Sequence, residues 1–260
     1  MECEECKAGQ EQYCPKKTLI YNHASKDGCP TSSQGGFANR IRLCSEFVYQ
    51  LPDEILFSHA APLFCAGLTT FTGLYKCGAG PDKTVGVKGI GPLGHLAIQY
   101  AKAMGSKEVT TIIDSQVNAG YVAKLGATRC IDFSNEVHIL AEHHKIDLLL
   151  VNSFDESTNW EYVLSIVSNH GTVVILALSK EPIRIPTMPF VHRDIKIVSS
   201  FQGGHKDVIV MLAFTAKHEI HPLIVKTTAR YCIVLEADES KDNGSNAKAY
   251  KPVAEQYLKD

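Results

Sequence analysis

The 260-residue chain lacks the features that would assign it to a membrane or to nucleic acid. No apolar stretch reaches the roughly 18 residues that a membrane-spanning helix needs. Its 26 basic residues form no dense run and the formal net charge is −2, so no interface with a phosphate backbone is predicted. The first residues also lack the basic and apolar regions of a secretion signal. We therefore expect a cytoplasmic protein that binds neither nucleic acid nor a membrane.

The composition is that of an ordinary globular protein, with 45% hydrophobic and 21% charged residues. Internal repeats and long low-complexity tracts are absent from the sequence, and its length suits one large α/β domain or two smaller ones. Nine cysteines would suggest disulfides in a small secreted domain. Because three of them fall within the first fourteen residues of a chain without a signal peptide, metal or redox chemistry is favoured instead.

Short branched-chain runs alternate with helical segments from Thr84 onward, which predicts βαβ units and a parallel sheet. The six expected strands are Thr84–Lys88, Glu108–Ile113, Arg129–Asp132, Asp147–Asn152, Thr172–Leu178 and Ile195–Ser199. The four expected helices are Leu93–Met104, Gln116–Leu125, Trp160–Val167 and Lys206–Lys217. This alternation predicts an α/β fold built on a doubly wound parallel Rossmann sheet.

Both ends of the chain differ from this central region. The first part, up to about Phe57, is rich in Cys, Gly, Pro, Ser and Asp, with β-like runs at Phe37–Leu43 and Phe47–Tyr49. The segment Ala237–Lys251 has almost no apolar side chains, so a flexible tail is expected there.

A glycine-rich turn separates the first predicted strand of the sheet from the helix that follows. Its residues are Gly89, Ile90, Gly91, Pro92, Leu93 and Gly94. In a G-x-G-x-x-G pattern, the first glycine makes the tight turn, the second admits a pyrophosphate close to the backbone, and the third lets the helix pack closely. The helix N-terminus then offers N–H groups to the phosphates, and Pro92 suits the first helical position because no N–H is needed there.

Asp114 ends the second predicted strand, 20 residues beyond Gly94. A carboxylate there can accept hydrogen bonds from the adenosine ribose hydroxyls and repels a 2′-phosphate. Residues 115–118 include no Arg or Lys, so NAD is favoured over NADP. Two alternatives stay open from these residues: a surface carboxylate at a strand end, and a fold that binds S-adenosylmethionine through its ribose.

Three cysteines near the start, Cys3, Cys6 and Cys14, have the spacing C-x2-C-x7-C. That spacing lets thiolates converge on a tetrahedral zinc, although a closed structural site needs four ligands. A fourth cysteine at the same x2 spacing would fall just before Met1. The alternative is three free surface thiols.

Several segments together resemble the zinc-dependent medium-chain alcohol dehydrogenases, nearest to the cinnamyl alcohol dehydrogenase branch. In that family a C-x2-C-x2-C-x7-C lobe holds a structural zinc, and Cys3, Cys6 and Cys14 match its last three cysteines. The other matching segments, in order, are Gly35–Ala38 (family GGYA), Ala60–Thr69 (family AAPLLCAGxT), and Gly89–Gly105 with Leu125–Ala127 (family cofactor domain). The resemblance extends from Cys3 to about Ala229.

The resemblance implies an oxidoreductase that transfers hydride between a primary alcohol or aldehyde and the nicotinamide of NAD or NADP. It implies that Cys65 is the third protein ligand of a catalytic zinc and that Thr69 contacts the cofactor. Ser199, Ser200 and Phe201 match a segment that lines the nicotinamide side. Zinc bound to the substrate oxygen would stabilise the charge that develops there. Members of the family commonly form homodimers.

The sequence departs from the family pattern in three places. In the family a cysteine and the histidine of a GHE motif precede the zinc lobe, but neither precedes Cys3, and none of the eleven histidines lies in a GHE. We expect most of these histidines to be solvated or structural. Lys88 stands where the family strand is usually apolar, so its charge should reach solvent or approach the pyrophosphate. Residues after about Arg230 do not resemble the final strands of the catalytic domain.

These departures lead to a three-part prediction of the architecture. An incomplete, β-rich GroES-like catalytic domain with part of a zinc lobe occupies residues 1–64, and the Rossmann domain occupies residues 65–222. A short return segment and tail occupy residues 223–260. Two catalytic zinc ligands are then missing, so the alternative function is a catalytically inactive nucleotide-binding remnant of the family.

Overall fold

The structure is a computed structural model that describes residues 2–24, 32–36, 43–113, 119–179, 182–224, 235–237 and 250–252. Helix α1 is Glu4–Lys7, and strands β1 (Tyr21–Ala24) and β2 (Ser32–Gln34) form an antiparallel pair. The strand predicted at Phe47–Tyr49 is wrong, because Ser45–Phe47 is a 3-10 turn and the run pairs with no strand in the described ranges. Most of the other β-like run, residues 37–42, lies outside the described residues.

Six parallel strands form the central sheet. They are β3 (Thr84–Lys88), β4 (Glu108–Ile113), β5 (Arg129–Asp132), β6 (Ile146–Val151), β7 (Val167–Ile175) and β8 (Lys196–Ser199). Their spatial order is β5-β4-β3-β6-β7-β8, so the direction of winding reverses between β3 and β6. This confirms the doubly wound Rossmann prediction. Strand β7 begins five residues before the predicted Thr172, because Val167 already pairs with Ile146 ahead of a register shift.

Helices cover both faces of the sheet. Before β3 lie α2 (Phe57–Pro62), a π-helical turn (Leu63–Gly67) and α3 (Leu68–Lys76). After β3 come α4 (Gly94–Ala103), α5 (Ala119–Lys124), α6 (Glu136–Ala141), α7 (Trp160–Ser165), α8 (Met188–Arg193) and α9 (His205–Lys217). The predicted helices correspond to α4, α5, α7 and α9. Neither α6 nor α8 was predicted, since each spans fewer than two helical turns and shows no clear period.

Two separate apolar cores hold the sheet. On the α4 face, α3, α4 and α9 cover Val85 and Val87 of β3, with Phe71 and Tyr100 packed edge to face. On the α7 face, α6 and α7 cover β5 and β6, with Leu149 fully buried. Because β3 and β6 are buried on both sides, their carboxyl ends are fixed in place.

The last described residues form a two-stranded pair, β9 (Leu235–Ala237) with β10 (Tyr250–Pro252). The two ends of the predicted tail are therefore paired strands, and residues 238–249 between them lie outside the described residues. Within the part of the chain that the structure describes, no helix is long and apolar enough to cross a membrane.

Candidate functional site

The glycine turn connects β3 directly to α4. Gly89 has a φ of +87°, a conformation that side chains rarely adopt, and a Cβ added there would collide with the Ser153 hydroxyl. A Cβ added at Gly94 would collide with the carbonyl oxygen of Gly89. Only glycine fits these two positions, so the backbone of the turn is bare and α4 packs closely against it.

The turn lies at the carboxyl edge of the sheet, beside the point where the strand order reverses. In open α/β sheets this crevice is where ligands bind. Helix α4 is ten residues long, and the N–H groups of His95 and Leu96 at its start already donate to the carbonyl oxygens of Gly91 and Leu93. The bare turn and the positive end of the helix dipole suit the negatively charged pyrophosphate of a dinucleotide.

Asn152, the residue after β6, adds a polar group to this edge. Its Nδ2 donates to the carbonyl oxygen of Gly89 at 3.2 Å, whereas its buried Oδ1 has no hydrogen-bond partner in the described residues. A buried acceptor without a hydrogen-bond partner lowers the stability of the fold. A hydroxyl of a ligand or a water molecule above the turn would donate the missing hydrogen bond. The sequence analysis missed Asn152. Its position directly after a buried strand next to the glycine motif was the available signal.

His95, on the first turn of α4, is fully buried and hydrogen-bonded at both ring nitrogens. Nδ1 lies 2.9 Å from the carbonyl oxygen of Gly91, and Nε2 accepts from the backbone N–H of Leu223 at 3.0 Å. This pairing requires a neutral ring with its proton on Nδ1. Burial lowers the pKa of His95 to about 4. His95 is thus a structural residue that ties the glycine turn to the segment after α9.

Lys88, the last residue of β3, is only 7% exposed. The residue is therefore buried along most of its side chain, and the expectation that its charge reaches solvent or approaches the pyrophosphate stays a prediction. Its Nζ lies 3.4 Å from the carbonyl oxygen of Ser153 and 5.9 Å from the centre of the Phe133 ring. The side chain lines a cavity of about 340 Å³ together with residues that follow β5 and β6.

Cys65 lies in the π-helical turn and its side chain is exposed. The wider turn changes the usual helical hydrogen bonding, and threonine hydroxyls replace part of it. Thr69 donates to the carbonyl oxygen of Cys65 at 2.8 Å, and Thr70 donates to that of Ala66 at 2.8 Å. Single π-helical turns occur frequently at functional sites. In the described ranges, however, Cys65 belongs to no group of three metal-ligating side chains.

The three cysteines of the lobe do converge. The Sγ atoms of Cys3, Cys6 and Cys14 lie within 4.8 Å of one another, with 3.4 Å from Cys3 to Cys6 and 3.6 Å from Cys3 to Cys14. Zn–S bonds of about 2.3 Å at tetrahedral angles separate two sulfurs by about 3.8 Å. The trio therefore fits three corners of a zinc site. The sulfur contact with Cys3 raises the pKa of Cys6 to about 12, while the Cys6 N–H lowers the pKa of Cys3.

The cysteine lobe docks against the segment that follows β8. Tyr13 accepts a hydrogen bond from the backbone N–H of Phe201 at 3.3 Å, and Glu11 accepts one from the backbone N–H of His205 at 3.1 Å. The Lys17 ammonium lies 5.4 Å from the centre of the Phe201 ring. The predicted nicotinamide-side residues, Ser199 to Phe201, thus begin at the carboxyl end of β8 and contact the lobe. Asp114, the predicted ribose ligand, lies outside the described residues.

Comparisons with known proteins point to a single family of enzymes. The family model described as zinc-binding dehydrogenase matches residues 92–217. An NADP-dependent alcohol dehydrogenase C 1 from Mycolicibacterium smegmatis is 34% identical over 232 residues, which cover 88% of this chain and 65% of that protein. A probable cinnamyl alcohol dehydrogenase 3 from Oryza sativa is 31% identical over 221 residues, covering 84% of this chain and 59% of that protein.

Solved structures of cinnamyl alcohol dehydrogenases superpose on this chain. A cinnamyl alcohol dehydrogenase from Sorghum bicolor superposes with a TM-score of 0.77 at 26% identity, covering 85% of this chain and 63% of the other. The corresponding enzyme from Helicobacter pylori, solved with NADP(H), has a TM-score of 0.75 at 26% identity, covering 86% and 63%. The chain therefore spans less than two thirds of the length of each of these relatives.

Proposed function

Because the chain belongs to the zinc-type medium-chain alcohol dehydrogenases, in their cinnamyl alcohol dehydrogenase-like branch, we propose that it is an oxidoreductase acting on alcohols and aldehydes. The reaction would move a hydride between the carbon of a primary alcohol and the C4 of nicotinamide, with loss of the hydroxyl proton to give the aldehyde. The observation that carries this proposal is the bare glycine turn at the reversal point of the sheet. The second candidate function is a catalytically inactive nucleotide-binding remnant, which the lack of a second metal-ligating side chain beside Cys65 in the described residues favours.

The cofactor would lie across the carboxyl edge of the sheet. The backbone from Gly89 to Gly94 would hold the pyrophosphate at the N-terminus of α4. Asp114 would bind the adenosine ribose, and Thr69 with the segment 199–201 would contact the nicotinamide half. We propose NAD as the preferred cofactor because of Asp114, although the Mycolicibacterium relative is named as NADP-dependent.

We propose two zinc sites in this chain, and the residues present match a zinc ion better at one site than at the other. Cys3, Cys6 and Cys14 fit a structural zinc as three of its four ligands. Cys65 is proposed as a ligand of the catalytic zinc, which would supply Lewis-acid stabilisation of the substrate oxygen. Such a site needs three protein ligands, and the described residues bring no second ligand to Cys65. The fit is therefore incomplete there, and no reaction step is derived through that metal.

Binding of NADH by the full chain, followed by its fluorescence, tests the cofactor part of the proposal. We expect saturable binding below millimolar NADH. The control is Gly94→Ala, whose added methyl group would push α4 away from the turn and should abolish binding while circular dichroism shows the fold retained. Absence of binding by the wild-type chain at millimolar NADH contradicts the proposal.

Reduction of aromatic and aliphatic aldehydes by NADH in the presence of zinc tests turnover. Loss of NADH absorbance is expected with the full chain. Binding without turnover of any aldehyde would favour the inactive remnant. The division at residues 64 and 222, the homodimer and the cytoplasmic location stay predictions.

A further inference from the structure

Two histidines meet between α2 and the segment that follows α9. The centres of the His59 and His221 rings lie 5.2 Å apart, with an angle of 48° between the ring planes. Two imidazoles that bind one tetrahedral zinc ion through Zn–N bonds of about 2.0 Å have ring centres about 5 Å apart. The separation of the two rings is therefore the one expected of two ligands of a single metal ion.

The histidine pair lines a small cavity of about 110 Å³. Glu54 and Glu219 line this cavity as well. Imidazole nitrogens and carboxylate oxygens are ligands of zinc and of similar divalent transition-metal ions. An organic ligand of cofactor size needs about 300 Å³ or more, whereas a water molecule takes about 30 Å³, so the cavity suits an ion with bound water.

Both histidines are anchored through their backbones. The His221 N–H donates to Oε1 of Gln99 at 3.2 Å, and the His221 carbonyl oxygen accepts from Nε2 of Gln99 at 2.9 Å. The His59 N–H donates to the carbonyl oxygen of Leu56 at 2.9 Å, and the next residue, Ala60, is buried. Because the fold already holds both residues, an ion would have to order only the ends of their side chains.

His59 also has a ring nitrogen that is not satisfied. Its Nδ1 is buried and has no hydrogen-bond partner among the described residues. Histidine ordinarily titrates near pH 6.5, so at about pH 7.5 an imidazole is mostly neutral and one of its nitrogens has a free lone pair. A metal ion bound at Nδ1 would satisfy this buried group, which otherwise lowers the stability of the fold.

Glu219 stands where a glycine would fit the backbone better. Its φ is +50°, and its N–H donates to the carbonyl oxygen of Ala216 at 3.3 Å. The N–H of Ile220 donates to the carbonyl oxygen of Thr215 at 3.1 Å. Many helices end in this arrangement, and the left-handed residue in it is usually glycine. Strained positions of this kind cluster at ligand sites, so a role for the carboxylate in the cavity would explain a glutamate here.

We propose that His59 and His221 bind a third metal ion, a divalent transition-metal ion of the zinc class, with the Glu219 carboxylate as the third protein ligand and water at the remaining position. In the described residues these three ligand atoms do not all lie within 4.8 Å of one another, so the exposed Glu219 side chain would rotate to close the site. The ion would link α2 to the segment after α9. The site shares no residue with the cysteine trio, with Cys65 or with the cofactor, so it goes beyond the proposed function.

Cobalt(II) distinguishes this site from the cysteines, because thiolate ligands give cobalt an intense charge-transfer band in the near ultraviolet and imidazole and carboxylate ligands do not. Cobalt is added to the metal-free full chain without a histidine tag, and bound cobalt is measured by equilibrium dialysis. We expect more bound cobalt than the thiolate band accounts for.

His221→Gln should weaken this additional binding roughly tenfold or more and leave the thiolate band unchanged. Even the loss of a group that only hydrogen-bonds to a metal ligand typically weakens binding by about 10- to 100-fold. His192→Gln, at an exposed position on α8, is the matched control and should bind cobalt as the wild type does.

Glu219→Gly tests the third ligand and the backbone strain together. Without metal its melting temperature should exceed that of the wild type, because glycine adopts the left-handed backbone freely. Its additional cobalt binding should be roughly tenfold weaker. Wild-type affinity in this variant would contradict the role of Glu219 as a ligand.

Three further outcomes would overturn the proposal. Cobalt binding that the thiolate band accounts for in full would show that the cavity takes no ion. Unchanged cobalt binding by His221→Gln would make the ring pair a packing contact only. Loss of the thiolate band in His221→Gln would place the lost ion at the cysteines. None of these outcomes depends on NADH binding, so the proposal can fail while the proposed function stands.

Discussion

The glycine turn and the cysteine lobe both bring chemically useful groups together, but different forces hold them. The turn is fixed between two strands that are buried on both faces, and its geometry follows from close packing. In the lobe, neither α1 nor the 3-10 turn at Glu11–Tyr13 has a buried residue, and the three thiols meet at 3.4 to 3.6 Å with no apolar core beneath them in the described residues. The carboxyl edge of the sheet, where the dinucleotide would bind, is therefore preorganised by the fold. The geometry of the cysteine lobe would depend more on a zinc ion bound by its three sulfurs.

A substitution in the apolar core beneath the glycine turn should have the largest effect on stability. Leu149 on β6 is fully buried on the α7 face. We expect Leu149→Ala to lower the free energy of unfolding by roughly 2–5 kcal/mol, because it leaves a cavity in close-packed surroundings. Denaturant unfolding measures this change.

The control for Leu149→Ala is Val137→Ala on α6, where the side chain is 72% exposed. This variant should stay within about 0.5 kcal/mol of the wild type. A similarly small effect at Leu149 would mean that the turn is not held by the core.

Acid should weaken the turn region through His95. Burial lowers the pKa of His95 in the folded chain to about 4, while the unfolded chain keeps a value of about 6.5. Above pH 6.5 the ring is neutral in both states. As the pH falls from 6.5 to 4, only the unfolded chain binds the proton, so stability falls by up to about 3 kcal/mol.

Unfolding free energies between pH 7.5 and 4.5 measure this effect. His95→Gln cannot bind the proton, so its slope with pH should be shallower than that of the wild type. His192→Gln, at an exposed position on α8, should keep the wild-type slope. Equal slopes for the wild type and His95→Gln would contradict the buried neutral ring.

Most of the sheet could be predicted from sequence because its signal is local. Thr84–Lys88, Glu108–Ile113 and Arg129–Asp132 have the predicted bounds, since short branched-chain runs between helical segments are typical of buried parallel strands. The glycine turn could also be predicted, because its G-x-G-x-x-G pattern lies within six consecutive residues. The early start of β7 was missed because it depends on pairing with Ile146 across a register shift, which is not a local property.

The side-chain geometry at the edge could not be predicted in the same way. The spacing of Cys3, Cys6 and Cys14 indicated convergence, and the structure brings them together. The direction of Lys88 follows from which face of β3 each helix covers, and the π-helical turn at Cys65 occurs together with hydrogen bonds from Thr69 and Thr70 to the carbonyl oxygens of Cys65 and Ala66. These depend on tertiary contacts that a single sequence does not display.

The smallest expected effect on the sheet comes from the lobe. Cys14→Ser removes one sulfur of the trio, and zinc content measured on the zinc-loaded protein should fall because serine is a poor zinc ligand. Hydrogen exchange should rise at residues 2–17, whereas the free energy of unfolding of the sheet should change by less than about 0.5 kcal/mol, since Cys14 belongs to neither apolar core of the sheet. Cys130→Ser, at an exposed thiol on β5, is the matched control and should retain the zinc. If Cys14→Ser destabilised the sheet by as much as Leu149→Ala, the lobe and the dinucleotide edge would be one cooperative unit, and Tyr13 and Glu11 would be the contacts that couple them.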